Sequence, residues 1–163
     1  MAKRILVVDD EARVVAVIQK RLESAGFEVI TAMDGTEALM KARSEKPDLI
    51  LLDLILPKLN GYQVCSILKR DSTYKQIPIL MLTARSQEND VDEWMRVGAD
   101  AYMIKPFKGE MLLWQIEQLL AKAEEKKEKM QKEKQTKEKA LGEKLIEDAQ
   151  RMGLLHKEEK PKK

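Results

Sequence analysis

Five short apolar runs, each followed by an amphipathic stretch, recur through the first 120 residues and confine the chain to few architectures. Ile5–Val8, Phe27–Thr31, Leu49–Leu52, Ile77–Leu82 and Ala101–Ile104 are rich in aliphatic and β-branched residues and too short for core helices, so they read as strands. Where polar alternation is missing, as in Ile5–Val8 and Leu49–Leu52, both strand faces are expected to be buried. The intervening segments carry apolar residues at helical spacing. Glu11–Ala25 places Val14, Val17, Ile18 and Leu22 inward. Gly35–Ser44 does the same with Ala38, Leu39 and Ala42, and Tyr62–Lys69 with Val64, Ile67 and Leu68. Asp90–Val97 makes a fourth helix, and a last one begins near Gly109 and carries Leu112, Ile116, Leu119 and Leu120. Gly26 and Gly98 stand where helices end in a left-handed residue. A fivefold strand–helix alternation predicts an α/β fold, a (βα)5 chain with a parallel five-stranded sheet covered by helices on both faces. Right-handed crossovers restrict the topology further.

Charge divides the 163 residues in two. Residues 121–163 hold 14 basic and 10 acidic side chains, a net of +4, while residues 1–120 hold 16 and 18, a net of −2. The basic balance of the whole chain therefore comes from the tail, and the domain at 1–120 shows no field for nucleic acid. A single cysteine, Cys65, has no partner for an internal disulfide, which fits a reducing compartment. The first apolar run ends in acids after a few residues, against a signal peptide. No stretch approaches the ~20 apolar residues of a membrane span. A cytoplasmic protein with no membrane insertion is expected.

Ligands of open parallel sheets gather outside the carboxyl ends of the strands. Those ends read Asp9-Asp10, Asp53, Thr83 and Lys105. Alone, each has an ordinary explanation: a turn, a cap, a strand-end hydroxyl, a solvated amine. Together they are complementary. Three crowded carboxylates repel one another, and a hard cation that prefers oxygen ligands, Mg²⁺ above all, relieves this while keeping open positions for phosphoryl oxygens. Lys105 can neutralise another of those oxygens, and Thr83 can donate a hydrogen bond to a third. Phosphoryl transfer needs chiefly positioning and charge neutralisation, and the set leaves one carboxylate free to act as nucleophile.

These residues carry a resemblance. Asp9-Asp10-Glu11 after a strand, Asp53 followed by Pro57 and Gly61, Thr83-Ala84, and Lys105-Pro106-Phe107 resemble, in order and spacing, the CheY-like receiver domain of two-component response regulators. The likeness covers about residues 3–120. It implies a doubly wound, flavodoxin-like sheet of order 2-1-3-4-5. It further implies that Asp53 accepts phosphate from a histidine kinase or phosphotransfer protein. Asp10 would be a direct Mg²⁺ ligand with Asp53 and the backbone carbonyl of Ile55, and Asp9 would hold metal-bound water. Thr83 would move toward the phosphoryl group, Lys105 would pair with it through a loop with a cis bond to Pro106, and Tyr102 would be a rotameric switch. Tyr102 also reads as ordinary strand packing. Trp94 and Trp114 would share its partner-binding face or simply be half-buried. No free-substrate turnover is implied, so the chain is not expected to be an enzyme in that sense.

Residues 121–139 have no repeating apolar face, only Glu–Lys pairs at i,i+4 such as Glu125–Lys129, and read as a solvated helix or a coil. Residues 140–152 regain a face with Leu141, Leu145, Ala149 and Met152, stopped by Gly153, so that 140–155 could dock a target or fold back. The tail has too few apolar residues for the core of a DNA-binding output module. The expected function is a phosphorylation switch acting on another protein. The alternative is an adaptor in which the charged tail carries the interaction and phosphorylation is minor.

Overall fold

In the computed structural model, which describes residues 1–84, 92–93 and 95–155, five parallel strands form one sheet of order β2-β1-β3-β4-β5. They are β1 (Arg4–Val8), β2 (Glu28–Ala32), β3 (Leu49–Asp53), β4 (Ile79–Thr83) and β5 (Ala101–Ile104), joined through α1 (Ala12–Ser24), α2 (Gly35–Glu45) and α3 (Gly61–Arg70) and followed by α4 (Gly109–Arg151). The doubly wound (βα)5 expectation, its strand order and its helical extension hold. The helix expected at Asp90–Val97 falls partly on residues outside the described set. Asp92, Glu93, Met95 and Arg96 are helical, and the turn that follows ends on Gly98 at φ 85°. Trp94, Arg85 and His156 also lie outside the described residues.

Period-2 alternation sorts the buried strands onto two faces. Leu6, Val8, Ile50, Leu52, Ile79 and Met81 pack with α2 and α3. Ile5, Val7, Leu49, Leu51, Leu80 and Leu82 pack with α1 and the first turns of α4. β1, β3 and β4 are therefore sealed on both sides, as their unbroken apolar runs require.

Three details depart from the sequence reading. Val15, Ile18 and Leu22 are the buried residues of α1, whereas Val17 is 71 % exposed. The 3-4 spacing of these three is as helical as the expected set, and the sheet takes that stripe. In α3, Cys65 is buried with Val64 and Leu68, while Ile67 faces solvent in part. The fourth strand begins at Ile79, not Ile77. Pro78 has no N–H to give a ladder, and the Ile77 N–H closes a turn on the Tyr74 carbonyl at 3.0 Å.

The chain divides into two compact units, Met1–Ala123 and Glu124–Lys163. The second is helical to Arg151 and ends in a Schellman turn: Leu154 N–H donates to the Ala149 carbonyl at 2.8 Å and Gly153 N–H to Gln150 at 3.1 Å, with Gly153 at φ 75°. Among the described residues no helix is long and apolar enough to cross a membrane.

The start of α3 is fixed twice. Asn60 and Gln63 form a reciprocal capping box, their side chains accepting from Gln63 N–H at 2.9 Å and Asn60 N–H at 3.0 Å. Gly61 lies against the β3 terminus so closely that a Cβ would overlap the Asp53 carbonyl oxygen, while its own N–H donates to the Leu54 carbonyl at 2.9 Å. Only backbone can yield there. Gly61→Ala should therefore lower unfolding stability by about 1–3 kcal/mol, the usual cost of overpacking, read as a fall in the urea midpoint at unchanged slope.

Candidate functional site

The strand order brings the ends of β1, β3, β4 and β5 side by side. Asp9 and Asp10 follow β1, Asp53 ends β3, Thr83 ends β4 and Lys105 follows β5. One carboxylate oxygen from each of Asp9, Asp10 and Asp53 lies within 4.8 Å of the others, a group able to hold a metal ion. Asp9 is 1 % exposed. Its two oxygens are both engaged, one accepting from Glu11 N–H at 2.9 Å and the other from Lys105 Nζ at 2.8 Å. Lys105 Nζ also stands 3.4 Å from Asp53 Oδ2. Asp53 Oδ1 is 3.4 Å from Ile55 N–H, which donates toward it. Asp10 is exposed at the rim.

The electrostatics follow from this crowding. Burial pushes the Asp53 carboxyl above its ordinary range. Lys105 pulls it back, but the neighbouring charge of Asp9 adds to the rise. Burial alone would lower the Lys105 amine. The hydrogen bond to Asp9 and the charges of Asp53 and Asp9 outweigh it and hold the amine above its usual value. When all ionise, three carboxylates against one ammonium leave an excess of two negative charges among the described residues of the cluster. A divalent hard cation offsets this excess, and an all-oxygen donor set suits Mg²⁺.

Thr83 is buried at the mouth of the site, and its carbonyl accepts from Lys105 N–H at 2.6 Å. The Lys105–Pro106 peptide is cis. Ile55 is 72 % exposed beside Asp53. Tyr102 is half-buried on β5 and packs against the α2/α3 face of the core. It belongs to the neighbouring strand surface, not to the carboxylate cluster. Trp114 is about half exposed on α4. Cys65 is wholly buried, and burial pushes its thiol up to about 12.

Sequence reasoning passed over the parts that hold the loop after Asp53. Lys58, at φ 68°, places its amine 3.4 Å from Asp34, the N-cap of α2. Gly35 N–H donates to the Pro57 carbonyl at 3.3 Å, and a Cβ on Gly35 would collide with the backbone of Leu59. The Asp34-Gly35 pair ahead of Glu37 was the available signal for a capped helix start. Its partner loop could not be read locally.

Residues 5–117 match the family described as the response regulator receiver domain. The chain belongs to that family. It is 48% identical over 124 residues to the alkaline phosphatase synthesis transcriptional regulatory protein PhoP of Bacillus subtilis, a match covering 76% of this chain and 51% of that protein. Among solved structures, the chemotaxis protein CheY4 of Vibrio cholerae matches at 35% identity and TM-score 0.70, over 73% of this chain and 99% of that one. The receiver domain of the sensor histidine kinase PA1611 of Pseudomonas aeruginosa, solved with a magnesium ion in its active-site cleft, matches at 30% identity and TM-score 0.69, over 74% and 99%. The chain spans about half the length of the curated relatives it matches. It is thus the receiver of a two-component response regulator, a signalling domain.

The raised Asp53 carboxyl has a consequence for stability. A carboxyl whose folded pKa exceeds its unfolded value costs stability once ionised, and that cost vanishes as pH falls below the unfolded pKa. Without divalent cations, Asp53→Asn should therefore raise the urea midpoint at neutral pH. The advantage should shrink as pH falls through the raised Asp53 pKa, as urea titrations of both proteins across pH would show.

Proposed function

We propose that this receiver is a cytoplasmic phosphorylation switch whose acceptor is Asp53. The observation that carries the reading is the cluster of Asp9, Asp10 and Asp53 closed by Lys105 at the carboxyl edge of the sheet. Asp10, Asp53 and the Ile55 carbonyl would hold Mg²⁺, with Asp9 reaching it through water; the all-oxygen donor set supports this, as does the magnesium ion in the cleft of the PA1611 receiver. When bound, the ion supplies positive charge for phosphoryl oxygens.

An Asp53 oxygen attacks phosphorus, the N–P bond of a phosphohistidine breaks, and the imidazole leaves. The donor is a histidine kinase or phosphotransfer protein. Lys105 pairs with a phosphoryl oxygen and Thr83 donates a hydroxyl hydrogen bond to another. The new charge biases a two-state equilibrium in which Tyr102 follows Thr83, altering the β5–α4 surface that carries Tyr102 and Trp114. A downstream protein reads that surface. Asp53 is phosphorylated and dephosphorylated within the domain, with no turnover of a free substrate. The transcriptional role in the name of the Bacillus relative belongs to a protein of which the matched segment covers 51%.

Acetyl phosphate with Mg²⁺, read by intact mass, tests the acceptor. A phosphate-sized gain is expected in the wild type, abolished by chelator and by Asp53→Asn. No gain in either protein overturns the switch and leaves the adaptor reading.

Ile55, apolar and exposed beside Asp53, shields the phosphoryl group from water. Ile55→Asn or Ile55→Glu should shorten the lifetime of the phosphorylated form, measured by decay of that mass after donor removal. An unchanged half-life would remove Ile55 from the mechanism.

A further inference from the structure

The helical tail ends in an apolar face with a directional charge pattern. Leu141, Leu145, Ile146 and Met152 are 59%, 59%, 53% and 74% exposed. At 100° per residue, Leu141 and Met152 lie within about 20° of each other, Leu145 at about 40° and Ala149 at about 80°. The two flanks of this stripe differ. One holds Asp148, Lys144 and Arg151, at about −20°, −60° and −80° from Leu141; the other holds Gly142 and Ile146, at about 100° and 140°. From 124 to 140 the helix carries Met130 as its one large apolar side chain, so the sticky part is confined to the last three turns.

We propose that this face is the interface between two copies of the chain, packed antiparallel. The charge pattern selects both the occupant and the direction. Residues 124–155 carry 9 basic and 8 acidic side chains, closely interspersed. That near balance gives no field to attract a strongly acidic or basic partner and no repulsion against its own copy.

In an antiparallel pair related by a twofold axis, each flank meets the same flank of the other helix, reversed. With Leu141 opposite Met152 of the second copy, Lys144 comes within one residue's rise, about 1.5 Å, of the level of Asp148 of the second copy, and the reverse pair repeats it. On the other flank, Ile146 is level with the axis but about 100° from the middle of the stripe, so it stays at the solvent edge of the pair. In a parallel pair, unlike flanks meet, and the Lys144-Asp148-Arg151 side would lie against Ile146 and Gly142, leaving charges facing an apolar surface. The inference does not depend on phosphorylation at Asp53.

Sedimentation equilibrium of the full chain tests it. A patch of this size predicts a dimer forming between about 10 µM and 1 mM. Leu145→Glu, which puts an unpaired charge from each copy in the middle of the stripe, should weaken it by at least about tenfold with helicity by circular dichroism unchanged. Cysteine cross-linking fixes the direction. Leu141→Cys should link to Met152→Cys in a mixture of the two and not to itself. A chain that stays monomeric at about 1 mM, whatever else then proves to bind the face, overturns the proposal, as does a dimer that Leu145→Glu leaves intact. Self-linking of Leu141→Cys overturns the antiparallel arrangement.

Discussion

The contact between Lys105 and Asp9 joins residues 96 positions apart, and the site depends on it. Asp9 follows the second strand of the sheet to be counted from its outer edge, and Lys105 follows the strand at the opposite edge. The bridge therefore spans β3 and β4, whose ends supply Asp53 and Thr83. A buried carboxylate at Asp9 is tolerable only with a cation and hydrogen bonds to satisfy it, and the amine that satisfies it arrives last in the chain. Until β5 has paired with β4, three carboxylates share one edge without the Lys105 amine that pairs with Asp9 and Asp53. Assembly of the site and completion of the sheet are one event.

That dependence explains what the sequence made legible. Strands sealed on both faces must be apolar without interruption, so β1, β3 and β4 announce themselves, and the polar residue that ends each run is conspicuous. Asp9, Asp53 and Thr83 were readable for this reason, and Lys105 because it stands in the same place after β5. The stripe of α1 was harder. Val14, Val15, Val17 and Ile18 offer two overlapping helical faces, and only the sheet decides that Val15 goes in and Val17 stays out. The beginning of β4 was misplaced because Ile77 looks like a strand residue while Pro78 withholds a donor. Apart from the Lys58–Asp34 pair, the buttress of the site loop was invisible because it is made of backbone. Gly35 and Gly61 serve by having no side chain, and what they let approach lies 24 and 8 residues away.

The two compact units rest on different physics. In the first, α1 to α3 and the start of α4 are held by burial against the sheet, and propensity matters little. Residues 124–140 bury almost nothing. Their helix rests on strong helix formers and on Glu–Lys pairs in the favourable order, such as Glu125–Lys129 and Glu128–Lys132, each contributing a few tenths of a kcal/mol. Such a helix gains nothing from staying bare at its apolar end. The change at Leu141 from a uniformly charged surface to an exposed apolar stripe has no rationale in the stability of a lone helix, and this makes it informative about association.

The site carries the opposite imbalance. Its carboxylates are held together against their own repulsion, and burial resists the charge on Asp53. A fold selected only for stability would place an amide there. The strain is local, and it is offset by two apolar cores that run up to Val8, Leu52 and Leu82, next to the site. A site that is electrostatically incomplete responds to added charge in a way that a satisfied one cannot. Ligands shift an equilibrium only by their differential affinity for its states, and an edge short of positive charge is where a cation and a phosphoryl group make the largest difference. On the proposed reading, the instability at the carboxyl edge is what lets a modification at one residue be felt at Thr83, which ends β4, and along β5 at Tyr102.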